Sequence, residues 1–249
     1  MIPSDHETTG TVMPAAPAVP PEPDPSTPSR GTDPPDAAAA ALRGFGPIGI
    51  AAMALVVTGN FLFSPLSAVL ALVWARLSHT PWRALGYVRP ASGVRELALG
   101  VAFGVTLKLV MKSVVMPLLG ADPINPRYQH LVGDPSAVAA FLLPVIVGAG
   151  WGEEALFRGY LFERLGTLWG RRAVAKTATV VVTSTLFAVA HEGASAIQQA
   201  GIVGLIFGTI YATRGGLWLL VIAHAAFDLA AVAIIYANME TRIAHLFFR

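Results

Sequence analysis

Cysteine is absent from this 249-residue sequence, which excludes disulfides, thiol catalysis, thiolate metal ligands and lipid attachment at cysteine. Charge is scarce too. Asp, Glu, Lys and Arg make up 13% of the chain, against about 25% in a soluble domain. Hydrophobic residues reach 54%. A soluble enzyme of this size needs more polar surface, so the composition points to a membrane protein. Catalytic and phosphate-binding signatures of common soluble enzymes are also missing. There is no glycine-rich phosphate loop and no Gly-x-Ser-x-Gly elbow. His191-Glu192-Gly193-Ala194-Ser195 lacks the second histidine of the zinc-protease motif.

The charge that is present is unevenly placed. Residues 1–43 hold Arg30 and Arg43 against Asp5, Glu7, Glu22, Asp24, Asp33 and Asp36, so the remainder is net basic. Residues 1–36 also carry 10 of the 19 prolines and almost no large apolar side chains. Such a segment cannot bury enough surface to offset its ordering entropy, and 1–43 is expected to be a disordered, acidic, Pro/Ala-rich tail. It has no basic start leading into an apolar core, so it does not read as a signal peptide.

A spanning helix needs about 20 mostly apolar residues. Candidate spans are 45–76, 96–119, 137–152, 173–191, 196–213 and 216–237. The first is long and carries Pro65 near its middle, so it is either one kinked crossing or two short ones. The apolar runs are continuous rather than alternating, which does not suit a barrel. The expected fold is therefore all-α: a multi-pass protein of six to seven transmembrane helices, with its membrane domain at 44–249.

Orientation follows from lysine and arginine in the short loops. Arg76, Arg83, Arg89 and Arg95 follow the first span; Arg164, Arg171, Arg172 and Lys176 follow the third; Arg214 lies between the last two. These regions agree as cytoplasmic, which puts the 120–136 loop outside. Topology accounts for the basic residues, so no nucleic-acid partner is expected. Gly100-xxx-Gly104 and Gly204-xxx-Gly208 predict close helix contacts. Lys108 and Lys112, one turn apart, are expected either to snorkel to an interface or to line a polar cavity.

Ionisable residues inside spans are costly and are candidates for function. They form three short groups: Glu153-Glu154-Ala-Leu-Phe-Arg158, Phe187-Ala-Val-Ala-His191 and His224-Ala-Ala-Phe-Asp228. A four-residue spacing puts two side chains on one helix face, so Glu154 pairs with Arg158 and His224 shares a face with Asp228. Glu153 points elsewhere, a carboxylate free for another partner and suited to act as a general base. Phe187 is expected to pack beneath His191.

These groups resemble the signature of the CPBP family of intramembrane proteases, also called the Abi or CAAX-protease family. Its pattern is Glu-Glu-x-x-x-Arg, then Phe-x-x-x-His, then His-x-x-x-Asn/Asp. The similarity covers roughly 140–235 and includes Phe157-Arg158-Gly159-Tyr160-Leu161 and Arg214-Gly-Gly-Leu-Trp218 as flanks. It implies a catalytic core at about 137–237 in the bundle of a bacterial plasma-membrane protein. It implies an endopeptidase acting on peptide bonds of membrane-associated substrates, either prenylated CAAX-type or bacteriocin-like. Glu153 and His191 would activate a water, while His224 and Asp228 would stabilise the oxyanion. Family members have been described both as glutamate proteases and as metalloproteases. A metal-dependent version would place zinc on Glu153, His191, His224 and Asp228. An aspartate at the last position cannot donate to an oxyanion when ionised, so Asp228 would be protonated, act through His224 or bind the metal.

The partners implied are the lipid bilayer and a peptide or protein substrate with a membrane-associated segment. Two other classes use the same residues differently. A transporter would use them as an ion or proton pathway, but the polar groups sit only in the C-terminal half, without the matched halves such proteins show. An immunity protein would need no chemistry from them. One geometric tension remains. His224 lies about 12 Å into its span at 1.5 Å per residue, whereas His191 stands toward the opposite end of its own. Upright, level helices would keep them apart.

Overall fold

The computed structural model describes residues 36–170 and 172–248; the expected tail falls outside them up to residue 35. The last residues assigned to that tail form a helix, α1 (Ala37–Arg43), capped by the Asp36 carboxylate accepting from the amides of Ala38 and Ala39. Then follow α2 (Pro47–Leu62), α3 (Ser64–Leu77), α4 (Gly93–Leu118), α5 (Pro135–Trp169), α6 (Ala173–Val189), α7 (Ala194–Arg214), α8 (Trp218–Tyr236) and the short α9 (Glu240–Ala244). Among the described residues there is no strand. The all-α expectation holds, but the span count is lower. Among the described residues four helices are long and apolar enough to cross a membrane: α4, α5, α7 and α8. The bent pair α1 and α2, at 60° to each other, makes at most a fifth. Helices α3 and α6 are apolar but shorter.

The 45–76 segment is a helical hairpin. Phe63 adopts an extended backbone between α2 and α3, and Pro65 opens α3, where its missing amide costs nothing. At the base, Trp74 Nε1 donates to Leu42 O and Arg43 donates to Ser78 O. Arg164, fully buried, donates to Arg43 O at 2.6 Å and to Gly44 O at 2.7 Å, with its guanidinium over Phe45. At the tip, Ser64 and Pro65 lie against Gly152, midway along α5, where a Cβ would come within 3.0 Å of the Ser64 backbone. Both ends of the hairpin therefore open on one side, that of the basic 78–92 loop.

Helix α5 is much longer than the expected 137–152 span. Asp134 caps it, and Ser136 Oγ with the Ala137 and Ser136 amides holds that carboxyl below its usual range. Pro144 removes one ladder donor inside the helix. From there to Tyr160 the winding is π-helical, a form found mostly at functional sites. Glu153 therefore sits in the middle of a helix rather than near its cytoplasmic end.

Small residues bring the backbones together. A Cβ on Gly100 would lie 2.6 Å from Ile222 Cγ2, and one on Gly104 would run into Ala223 O. Gly150 faces Ala225 in the same way, at 2.9 Å. Helix α8 is thus gripped between α4 and α5, with His224 next to the contact. Across the bundle, Gly204 and Gly208 meet Ser184 and Val180, joining α7 to α6. Both small-residue motifs are packing seams, as their spacing predicts. Gly104→Leu forces α4 away from α8. It is expected to cost roughly 1–3 kcal/mol as overpacking and to move His224. Thermal unfolding and hydrolysis by the purified variant in detergent check this; wild-type values for both would contradict it.

Candidate active site

Helices α5, α6, α7 and α8 each supply part of one buried cluster. Arg158, 1% exposed, donates through Nη1 to Glu154 Oε1 at 2.8 Å and through Nη2 to Gly204 O at 3.4 Å. Its guanidinium lies 4.4 Å from the ring centre of Phe187 and 5.6 Å from that of Phe207. Glu154 is fully buried and takes a second donor: His224 Nδ1, at 2.7 Å. An ionised carboxylate only accepts, so the proton in that bond belongs to His224.

This fixes the imidazole. With Nδ1 held by Glu154, Nε2 points to the other side, 3.8 Å from Glu153 Oε2 and 3.7 Å from Asp228 Oδ2. Neither distance is a direct hydrogen bond. Glu153 Oε2 is enclosed and has no hydrogen-bond partner. The ring of His224 sits between those of Phe187 and Phe207, at 5.9 and 5.8 Å. His191 also packs on Phe187, with ring centres 4.8 Å apart. Its Nδ1 donates to Phe187 O at 2.8 Å, so in the neutral ring Nε2 carries the lone pair.

The expected residues thus gather unequally. Glu153, Glu154, Arg158, His224 and Asp228 form a connected group, and His191 joins it through the Phe187 ring. Glu153 and His191 make no direct hydrogen bond among the described residues. Glu154 has a role that spacing alone did not suggest, because it orients His224 as well as pairing with Arg158. Among the described residues no group of three or more His, Cys, Asp or Glu side chains is placed to hold a metal ion.

Depth is reconciled by helices that start at different levels. The Leu217 amide donates to Gly86 O, and Leu85 O lies against Gly159, which puts the start of α8 close to Gly159 in α5. Helix α5 runs on from there to Trp169. Helix α6 follows that extension, and its last turn brings His191 to the Phe187 ring that His224 also meets.

Sequence reasoning missed several participants. Phe207 reveals nothing in an apolar helix until α7 is packed, and the spacing of Gly204 marks a helix contact but not the bond of its carbonyl to Arg158. Tyr128, in the turn Pro126–Leu131, is half-buried against Phe141. Burial raises its phenol above the usual range; Arg127 opposes this, while Asp228, Glu153 and Glu192 add to it, so Tyr128 lies within electrostatic reach of the site. Beside it Arg127 bonds Glu192 at 2.7 Å on the surface. Lys108 and Lys112 do not snorkel. Lys108 turns inward to Gln199 Oε1 at 3.3 Å, and Lys112 meets the buried Glu240 at 3.1 Å.

Comparison with known proteins bears on this cluster directly. Residues 135–230, which contain all three motifs, match the family model described as type II CAAX prenyl endopeptidase Rce1-like. Over these residues the chain is similar to that family. The membrane-embedded CAAX protease MroQ of Staphylococcus aureus (strain USA300) is 27% identical over 127 residues. That alignment covers 51% of this chain and 51% of MroQ, so the chain spans about half the length of the curated relative it matches. No solved structure matches. With four long apolar helices among its described residues, the protein is a multi-pass integral membrane protein.

Proposed function

We propose that the protein is an intramembrane endopeptidase that hydrolyses peptide bonds of membrane-associated substrates, of prenylated CAAX or bacteriocin-precursor type. One observation carries this reading: Glu153 Oε2 is buried, unbonded and opposite His224 Nε2, while the Glu154–Arg158 pair holds the other side of that ring. An idle carboxylate facing an oriented imidazole suits a base beside an electrophilic donor.

In this scheme Glu153 takes a proton from water as its oxygen attacks the substrate carbonyl carbon, and the Nε2 lone pair of His191 helps position that water. The carbonyl oxygen becomes an oxyanion. His224 donates to it from Nε2 as an imidazolium, keeping its Nδ1 proton on Glu154. Asp228 only accepts when ionised, so it works by orienting His224. The C–N bond then breaks, and Glu153 returns its proton to the leaving amine.

The test is hydrolysis in proteoliposomes, using a farnesylated C-terminal peptide and a leader-type membrane peptide in water enriched in oxygen-18. Mass spectrometry should find two fragments, with one heavy oxygen in the new carboxylate. Peptides that stay intact, alongside ion flux through the same liposomes, would replace this reading with that of a transporter.

A further inference from the structure

Two lysines one turn apart on α4 are treated differently. Lys112 has a carboxylate, Glu240, at 3.1 Å. Lys108, only 9% exposed, has the neutral Gln199 Oε1 at 3.3 Å and the face of Phe227 at 4.7 Å. Among the described residues no carboxylate stands within ion-pair distance of its Nζ. An ammonium inside an apolar bundle is costly without an anion. It also keeps spare donors, because an ammonium has three.

Its position connects it to the site. Gly104 touches Ala223, and one turn further along each helix come Lys108 and Phe227. Lys108 is therefore level with Asp228, just outward of His224, and close enough to act on Asp228 electrostatically. We propose that Lys108, with the Gln199 amide beside it, receives the terminal carboxylate of the peptide substrate. This rests on the peptidase reading. A lipid phosphate fits the same charge but not the place, since Lys108 lies about 15 Å inside the Leu118 end of α4 at 1.5 Å per residue. A peptide chain drawn past Asp228 brings its own carboxylate to that depth. The captured end then fixes how far from the C-terminus the scissile bond falls.

The test measures binding, so it does not depend on turnover. Glu153→Gln protein in phosphatidylcholine nanodiscs is titrated with one fluorescent membrane peptide, made as the C-terminal acid and as the C-terminal amide. The acid is expected to bind about tenfold more tightly, as one charge-assisted contact gives. Adding Lys108→Met should bring the ratio to about one, and Lys108→Arg should keep part of it. Anionic phosphatidylglycerol in the discs should leave the ratio unchanged. Equal binding of acid and amide by the Glu153→Gln protein overturns the proposal before any lysine variant is made. So does a ratio that survives Lys108→Met, or one that phosphatidylglycerol abolishes. If acid preference is found but wild type cleaves neither peptide, the peptidase reading fails and the carboxylate site stands.

Discussion

Glu153→Gln is expected to fold normally and to slow hydrolysis by about 10²–10⁴-fold, the usual contribution of a general base. The fold should survive because Glu153 Oε2 has no hydrogen-bond partner and the amide has nearly the same volume. No ion pair is broken either, since Glu154 carries the bonds to Arg158 and His224. What disappears is a proton acceptor facing His224 Nε2. The loss should appear in kcat, with KM little changed, because the missing interaction acts on the attacking water and not on the bound chain. Initial rates in proteoliposomes, with a thermal unfolding curve for the same preparation, separate the two effects. A variant with wild-type kcat would remove Glu153 from the chemistry.

That prediction depends on telling two adjacent glutamates apart, and the sequence went part of the way. Helix spacing paired Glu154 with Arg158 and left Glu153 unpaired, because a four-residue offset is a local property of one helix. It could not show that His224 also reaches Glu154, since that bond joins residues 70 positions apart. The bond depends on Gly104 and Gly150 letting α8 come close enough. The glycines are visible in the sequence; their partners are not.

The same limit explains the span boundaries. Hydropathy ended the third span at 152, where Glu153, Glu154 and Arg158 interrupt the apolar run. The helix continues to Trp169 because Glu154 and Arg158 pair within it, and His224 and Gly204 O from neighbouring helices complete their hydrogen bonds. The apolar run 45–76 read equally as one kinked crossing or two short ones, and the extended Phe63 with Pro65 divides it into two helices. Hydropathy reports which residues tolerate lipid; where a helix stops depends on backbone breakers and on partners for its polar groups.

Arg158→Met should be the most destabilising single change in the cluster, at about 3–5 kcal/mol, because it leaves Glu154 buried without its cation. Glu154→Gln should cost less, since it removes the charge Arg158 answers but keeps an oxygen for His224. The double variant Glu154→Gln/Arg158→Met removes both charges together. It should therefore be more stable than Arg158→Met alone, giving a coupling of opposite sign to the single losses. Arg158→Lys tests the geometry. The guanidinium bonds Glu154 and Gly204 O from different nitrogens while lying on Phe187, and one ammonium cannot do all three. Lysine should fall between arginine and methionine in stability. It should also lower hydrolysis, because Glu154 would hold His224 less firmly. Unfolding free energies of the wild type and the four variants in mixed micelles, with kcat for each, decide the matter. Additive losses, or an Arg158→Met cost below about 1 kcal/mol as for a surface pair, would show that Glu154 does not depend on Arg158 for its charge.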